Sequence, residues 1–483
     1  MPKMRSTFFV LLLMAMIGLL GQFTEGRRGP LAAIFDKKIP PMNNTGVDPG
    51  QPLFLTPLIE KGQIAQARAA SAVGPLEGTS VMSFSGFLTV NKTYNSNMFF
   101  WFFPAQNDAS NAPVLLWLQG GPGGTSLFGL FNEHGPFYLT ADLKLNPRKF
   151  TWTSKFSMLY IDNPVGTGFS FTDDDKGYAT NEEDVADNLY SALIQFFTVF
   201  PEFQKNDFYA TGESYAGKYV PAITYKIHMM NPTAKTKIYL RGMAIGDGLC
   251  EPETMLPSLG SFMLNTGQAD ESQRKYIDGA TAQAVQYIKQ QQWIKAFNVF
   301  DILLNGDTIP YPSYFTNITG STFYYNYMLM REPESFGYYN KYLARSDVRK
   351  AIHVGNLTFH DGSKVEQFLL QDVMKSVKPW MTEIFNTRKV LIYSGQLDVI
   401  IAAVMTESFL STVPWQYQDE YLRADRWIWK VNKADSEVAG YVRRVHDFYQ
   451  VIVRGGGHIL PYDQPARSLD MMDRFINNKP FNK

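Results

Sequence analysis

Ser214 stands in Thr211-Gly212-Glu213-Ser214-Tyr215-Ala216-Gly217, between an apolar run and a helical pattern carrying Tyr219, Ile223 and Ile227. A serine on so tight a strand-to-helix turn is pushed clear of its sheet, with its hydroxyl exposed and the next N–H turned inward. Gly212, Ala216 and Gly217 permit the close backbone approach that such a turn requires. Ala216 replaces the second glycine of the strict Gly-x-Ser-x-Gly pattern, a departure of one methyl group. A serine hydroxyl is a poor nucleophile until a base takes its proton, and the chain offers 6 histidines. His458 follows an apolar run at 448–453 and the glycines 455–457, which sets it on a flexible turn at a strand end. His134, His228, His353, His360 and His446 lie in helical patterns or lack such a loop, and read as structural residues. An imidazole needs an acid to fix its tautomer, and Asp398 closes a strand plus turn at 390–398.

Ser214, Asp398 and His458 occur in the chain order of nucleophile, acid and base in the α/β-hydrolase fold. The anionic oxygen of a tetrahedral intermediate also needs donors. Trp117-Leu118-Gln119-Gly120-Gly121-Pro122-Gly123-Gly124 follows a strand-like run at 114–118. In this fold one donor comes from that loop and one from the residue after the nucleophile, which selects the N–H groups of Gly121 and Tyr215. A phosphate-cradling loop is excluded, because no Gly-Lys-Ser/Thr follows and no dinucleotide spacing fits. No His-Glu-x-x-His is present and no two histidines have ligand spacing on a helix, so neither metal nor cofactor is expected.

The elements that must position these residues are legible as a pattern. Runs at 83–90 and 97–103 read as a hairpin turning at 91–96. Short apolar strands follow at 114–118, 156–161, 208–211, 238–245 and 390–393, then at 427–431, 438–442 and 448–453. Val185, Leu189, Leu193, Phe196, Phe197 and Phe200 recur at helical spacing behind Asn181 as a cap, and 467–476 reads as a closing helix. Strands alternating with helices predict an α/β fold, its mainly parallel central sheet covered by helices on both faces. The alternation breaks at 251–345, read as one helix over 271–305 and a Tyr/Pro/Gly-rich stretch. The expected division is a signal peptide at 1–26, an extended N-terminal arm at 27–75, a hydrolase domain in two parts at 76–250 and 346–483, and an inserted cap at 251–345.

Lys3, Arg5 and the apolar run at 8–20 are the reason for expecting a signal peptide; a bilayer span takes about 20 apolar residues. A soluble chain on the secretory route is implied, secreted or lysosomal, with no membrane partner. Asn43, Asn91, Asn317 and Asn356 open Asn-x-Ser/Thr triplets and are candidate glycosylation sites. Cys250 is the single cysteine, so no intrachain disulfide forms, and it reads as a small buried hydrophobe. Lys+Arg and Asp+Glu both number 45, and a chain with no basic excess is not built for nucleic acid.

Five motifs carry a family resemblance: Trp-Leu-Gln-Gly-Gly-Pro-Gly (117–123), Gly-Glu-Ser-Tyr-Ala-Gly-Lys-Tyr-Val-Pro (212–221), Ile-Gly-Asp-Gly (245–248), Tyr-Ser-Gly-Gln-Leu-Asp (393–398) and Gly-Gly-His (456–458). Together they resemble the serine carboxypeptidases, from about residue 75 to the C-terminus. Pro-Leu-Phe-Leu-Thr-Pro (52–57) and Val-Arg-Lys-Ala-Ile-His-Val-Gly (348–355) resemble the vitellogenic carboxypeptidases of insects and their vertebrate relatives. The resemblance implies release of C-terminal residues from peptides or proteins, with Trp117, Gln119, Glu133 and Glu213 holding the substrate's terminal carboxylate. Glutamates beside a carboxylate can donate to it only when protonated, which implies raised pKa values and activity favoured by acid. Gln119 stands where many members carry Asn, and Gly124 where a cysteine is common. An esterase or acyltransferase of the same fold would use the same triad without need of the two glutamates. A catalytically silent storage or interaction protein would have no need of the triad. A second copy of the chain, as a homodimer, is the other partner considered.

Overall fold

The computed structural model describes residues 48–306 and 312–481. The expected signal peptide, the first part of the arm and Asn43 lie outside the described residues. The strands are β1 (Ala72–Val73), β2 (Ser83–Asn91), β3 (Ser96–Phe103), β4 (Val114–Leu118), β5 (Ser157–Ile161), β6 (Phe208–Glu213), β7 (Leu240–Gly246), β8 (Lys389–Gly395), β9 (Arg426–Trp429), β10 (Gly440–Val445) and β11 (Phe448–Val453). They form one 11-stranded sheet in the order β1-β2-β3-β5-β4-β6-β7-β8-β11-β10-β9. From β5 through β11 the neighbours run parallel, and antiparallel strands close both ends.

Every residue of β4, β5 and β8 is buried, which is why these strands read as unbroken apolar runs rather than alternations. Neighbouring residues on a strand point to opposite faces, so Phe208 and Tyr209 sample the two sides of β6. Phe208 meets Phe197 of helix α1 (Glu182–Val199) with ring centroids 5.8 Å apart. Tyr209 meets Phe475 of the closing helix Pro465–Ile476, also at 5.8 Å. Helices therefore cover both faces. At the start of α1 the Asn181 side chain accepts the Asp184 N–H at 2.9 Å, and three acidic residues in the first turn complement the helix dipole. Helix α2 (Ala216–Met230) leaves directly from the Ser214 turn.

Two expectations change. The described part of the arm is not extended, for it holds short helices at Thr56–Glu60 and Ile64–Ser71. Pro57 suits the first turn of one and four alanines favour the other, so local propensity outweighed the surrounding Pro and Gly content. The single helix expected over 271–305 is broken. Helix α3 (Glu271–Lys289), opened by an Asp270–Gln273 capping box, stops before Gln291, whose φ of +57° is left-handed. There the Gln292 N–H turns back to the Tyr287 carbonyl at 2.8 Å, and helix α4 (Trp293–Phe300) starts in a new direction. Glutamines carry no breaker signal, so periodicity alone ran through the break.

Candidate active site

Ser214 sits one residue past β6 with φ +64°, a left-handed conformation that costs a non-glycine residue about 1–2 kcal/mol. The sheet enforces it. The Ser214 N–H donates to the Gly246 carbonyl at the end of β7 (3.0 Å), and its carbonyl accepts the N–H groups of Gly217 (2.9 Å) and Leu249 (3.0 Å). Asp398 lies in the turn after β8 and His458 in the loop after β11; both are fully buried. Each belongs to the carboxyl end of a parallel strand, the edge where open α/β sheets gather their ligands. His458 Nδ1–H donates to Asp398 Oδ2 at 2.8 Å, which leaves Nε2 as the acceptor nitrogen. Among the described residues His458 Nε2 has no hydrogen-bond partner, which leaves it able to accept a hydroxyl proton.

The glycine loop after β4 packs against this turn. A Cβ on Gly120 would lie 2.5 Å from the Tyr215 nitrogen and 2.6 Å from the Ser214 Cβ, so only glycine fits. Gly121 has φ +120°, a second position that a side chain would strain. Gly121, Tyr215 and Ser214 line one cleft, whose other walls include Leu249, Phe297 and Phe300 of α4, and Ile400.

Beside Ser214 runs a buried polar chain. Trp117 Nε1–H donates to Gln119 Oε1 at 2.9 Å, and Gln119 Nε2–H donates to Glu213 Oε1 at 2.6 Å. Gln119 thus bridges the indole and the carboxyl. Glu133, on a helical turn at Gly129–His134, is buried close enough to Glu213 for each carboxyl to perturb the other. All four side chains are fully buried. Two ionised carboxylates so close together in a dry interior repel, which favours a proton on one of them. Burial, ahead of every other influence, raises the pKa of both glutamates, and for Glu213 the Glu133 and Asp247 carboxyls add to the rise.

The family model described as serine carboxypeptidase matches residues 75–478. The chain belongs to the serine carboxypeptidase family. It is 58% identical over 432 residues to the human probable serine carboxypeptidase CPVL, covering 89% of this chain and 91% of the relative. The vitellogenic carboxypeptidase of Aedes aegypti is 43% identical over 432 residues, covering 89% of this chain and 90% of that one. Of solved structures, Kex1 of Saccharomyces cerevisiae, a prohormone-processing carboxypeptidase, superposes with a TM-score of 0.75 at 23% identity, over 85% of this chain and 96% of that chain. That structure shares the fold. A serine carboxypeptidase is a hydrolase whose substrates are peptides, so family membership favours peptidase over esterase.

Other residues of this serine carboxypeptidase meet the site without any motif to announce them. The segment 324–327 threads between the Asp398 and His458 loops. The Val399 N–H donates to the Tyr324 carbonyl (3.1 Å), the His458 N–H to that of Tyr325 (2.6 Å), and the Tyr327 N–H to that of Leu397 (3.1 Å). The Tyr325 ring stacks on the His458 imidazole, with centroids 4.7 Å apart. Asn326 Nδ2–H donates to Asp463 Oδ2 at 3.0 Å, and the same oxygen accepts the Gly457 N–H at 2.7 Å. These contacts are long-range, so only the folded chain reveals them. His134 is buried between Trp117 and Trp152, its ring centroid 4.2 Å from each, as befits a structural residue. Cys250 is buried, and burial pushes its thiol up to about 12. Asn317 and Asn356 are exposed and Asn91 is partly so. Among the described residues no helix is long and apolar enough to cross a membrane.

Proposed function

We propose that this serine carboxypeptidase removes residues one at a time from peptide C-termini at acidic pH, by an acyl-enzyme mechanism run by Ser214, His458 and Asp398. His458 Nε2 takes the proton of Ser214 as its oxygen attacks the last peptide carbonyl, and returns it to the departing amine. Asp398 keeps the proton on Nδ1 and stabilises the imidazolium that forms. The N–H groups of Gly121 and Tyr215 receive the negative oxygen of the tetrahedral intermediate. Water, activated by the same histidine, then releases the acyl group.

The observation that carries the exopeptidase reading is the buried Trp117–Gln119–Glu213–Glu133 chain adjoining Ser214. A protonated glutamate pair donates to a terminal carboxylate and needs no countercharge, whereas an ionised pair repels it. Acid therefore favours binding. The segment 251–345 serves as a cap over the cleft, and its apolar α4 faces the substrate. Passage through the secretory route, with sugar on Asn91, Asn317 and Asn356, accords with the solvent access of those side chains.

Ser214→Ala tests the assignment. It is expected to lower peptide hydrolysis by on the order of 10⁴-fold or more, with thermal unfolding unchanged. The readout is a peptide ladder followed by mass spectrometry. Undiminished release of C-terminal residues by the folded variant would remove Ser214 as the nucleophile.

A further inference from the structure

Asp247 is a fully buried carboxyl that the mechanism above leaves unused, although it sits in the Ile-Gly-Asp-Gly motif. It adjoins Gly246, whose carbonyl accepts the Ser214 N–H. Its φ of +46° is left-handed, a strain that persists only where the surroundings enforce it. They do so through β8, the strand that leads into the Asp398 turn. The Asp247 N–H donates to the Tyr393 carbonyl at 2.8 Å, and Asp247 Oδ1 accepts the Gly395 N–H at 2.7 Å. Asp247 Oδ2 is buried with no hydrogen-bond partner among the described residues, and the bond to Gly395 sets the Asp247 carboxyl against the turn that carries Asp398, whose charge acts on it. The carboxyls of Glu213 and Asp463 and the phenol of Tyr393 face it from the adjoining elements. Two acceptor-only groups pressed together in a dry interior repel unless one carries a proton.

We propose that Asp247 is a positioning residue which, in its protonated form, donates a hydrogen bond to the Asp398 carboxylate and so moderates the pull of Asp398 on the His458 imidazolium. This rests on the roles given above to Asp398 and His458. Burial first, and then the charge of Asp398, hold the Asp247 carboxyl well above the usual carboxylate range, which keeps the donor in place. An undiluted charge on Asp398 favours the cationic imidazole, which is unable to take the proton of Ser214. A donor on Asp398 drains part of that charge, and the neutral, basic imidazole persists to lower pH. The same contact fixes the Asp398 carboxyl against β7, the strand that also holds the Ser214 N–H.

The test follows kcat/KM from about pH 4 to about pH 8, the range over which carboxyl and imidazole groups titrate. The substrate is an N-blocked dipeptide methyl ester, whose lack of a terminal carboxylate keeps the Glu133–Glu213 pair out of the readout. For Asp247→Ala the acid limb is expected to move up by about one pH unit, a loss of about tenfold on that limb, with the plateau retained. Asp247→Ser, a milder truncation that is also too short to reach Asp398, is expected to move the limb likewise and serves if the alanine variant does not fold. Asp247→Asn keeps an acceptor for Gly395 and a donor for Asp398, and is expected to keep the acid limb where it was. An unmoved limb in both truncations, an equal loss at every pH, or the same movement in Asp247→Asn would overturn the proposal. Ser214→Ala on the same ester separates the two assignments. Activity there defeats the nucleophile, whereas an inactive Ser214→Ala with unmoved Asp247 limbs defeats this inference alone.

Discussion

Glu213 is tied to Ser214 by the chain and to Gln119 by a 2.6 Å hydrogen bond, so on the proposed reading its protonation state bears on catalysis as well as packing. Its raised pKa comes from burial first and from the Glu133 and Asp247 carboxyls next. Glu213→Gln keeps an acceptor for Gln119 and supplies an amide donor that holds its protons at every pH. Peptide hydrolysis by this variant is expected to fall at acid pH and to lose less toward neutral pH, so the kcat/KM profile shifts to higher pH. An unmoved profile would show that the pair does not set the acid preference. At this scale the sequence was informative wherever chemistry leaves a motif: Ser214 in its small-residue turn, His458 behind its glycines, Asp398 at a strand end. Asp247 stood in a quoted motif, yet its partner lies in β8, and nothing in a linear reading pairs the two.

The segment 324–327 shows what an element adds. It belongs to the stretch that gave no clean pattern, because its bonds are made through its own backbone to two loops far off in the chain. Asn326 is the side chain that fastens it, through Asp463, to the Gly457–His458 turn. Burial pushes the Asp463 carboxyl up to about 6, so this fastening itself titrates in the acid range. Asn326→Ala is expected to lower kcat by about tenfold while KM changes little, since it loosens the base without touching the carboxylate pocket. Steady-state kinetics on one peptide decides it, and a rise in KM at constant kcat would place Asn326 in substrate binding instead. The strands were readable because buried parallel strands are short, apolar and bounded by turns. The break between α3 and α4 was not, because a left-handed Gln291 is imposed by packing rather than by residue type.

Across the whole molecule, buried carboxyls with raised pKa values recur: Glu133, Glu182, Glu213 and Asp247, and Asp162 at about 7. Such groups hold protons in the folded chain that the unfolded chain gives up above about pH 4, so stability is full in acid and declines as pH rises toward the folded values. His134, His353 and His360 act in the opposite sense below about pH 6.5, because burial lowers their pKa values. Above that pH the raised carboxyls outnumber the groups that oppose them, Lys389, whose ammonium burial lowers to about 8, and Lys218, lowered by burial as well. Thermal unfolding is therefore expected to shift to lower temperature from about pH 6.5 to about pH 8, each carboxyl still protonated adding a slope of about 1.4 kcal/mol per pH unit. A flat or rising Tm over that interval would contradict the protonated interior. The same protonated interior underlies the central claim, that this serine carboxypeptidase recognises a free terminal carboxylate. The most direct measurement compares two peptides identical except that one ends in a carboxylate and the other in an amide. On the proposed reading Trp117, Gln119, Glu133 and Glu213 pair with the carboxylate, and leaving such buried groups badly paired costs about 1–3 kcal/mol each, or roughly ten- to a hundred-fold in rate. The free acid is expected to be cleaved at least tenfold faster, its last residue released first. Equal rates, or fragments cut from the interior of either peptide, would contradict the account.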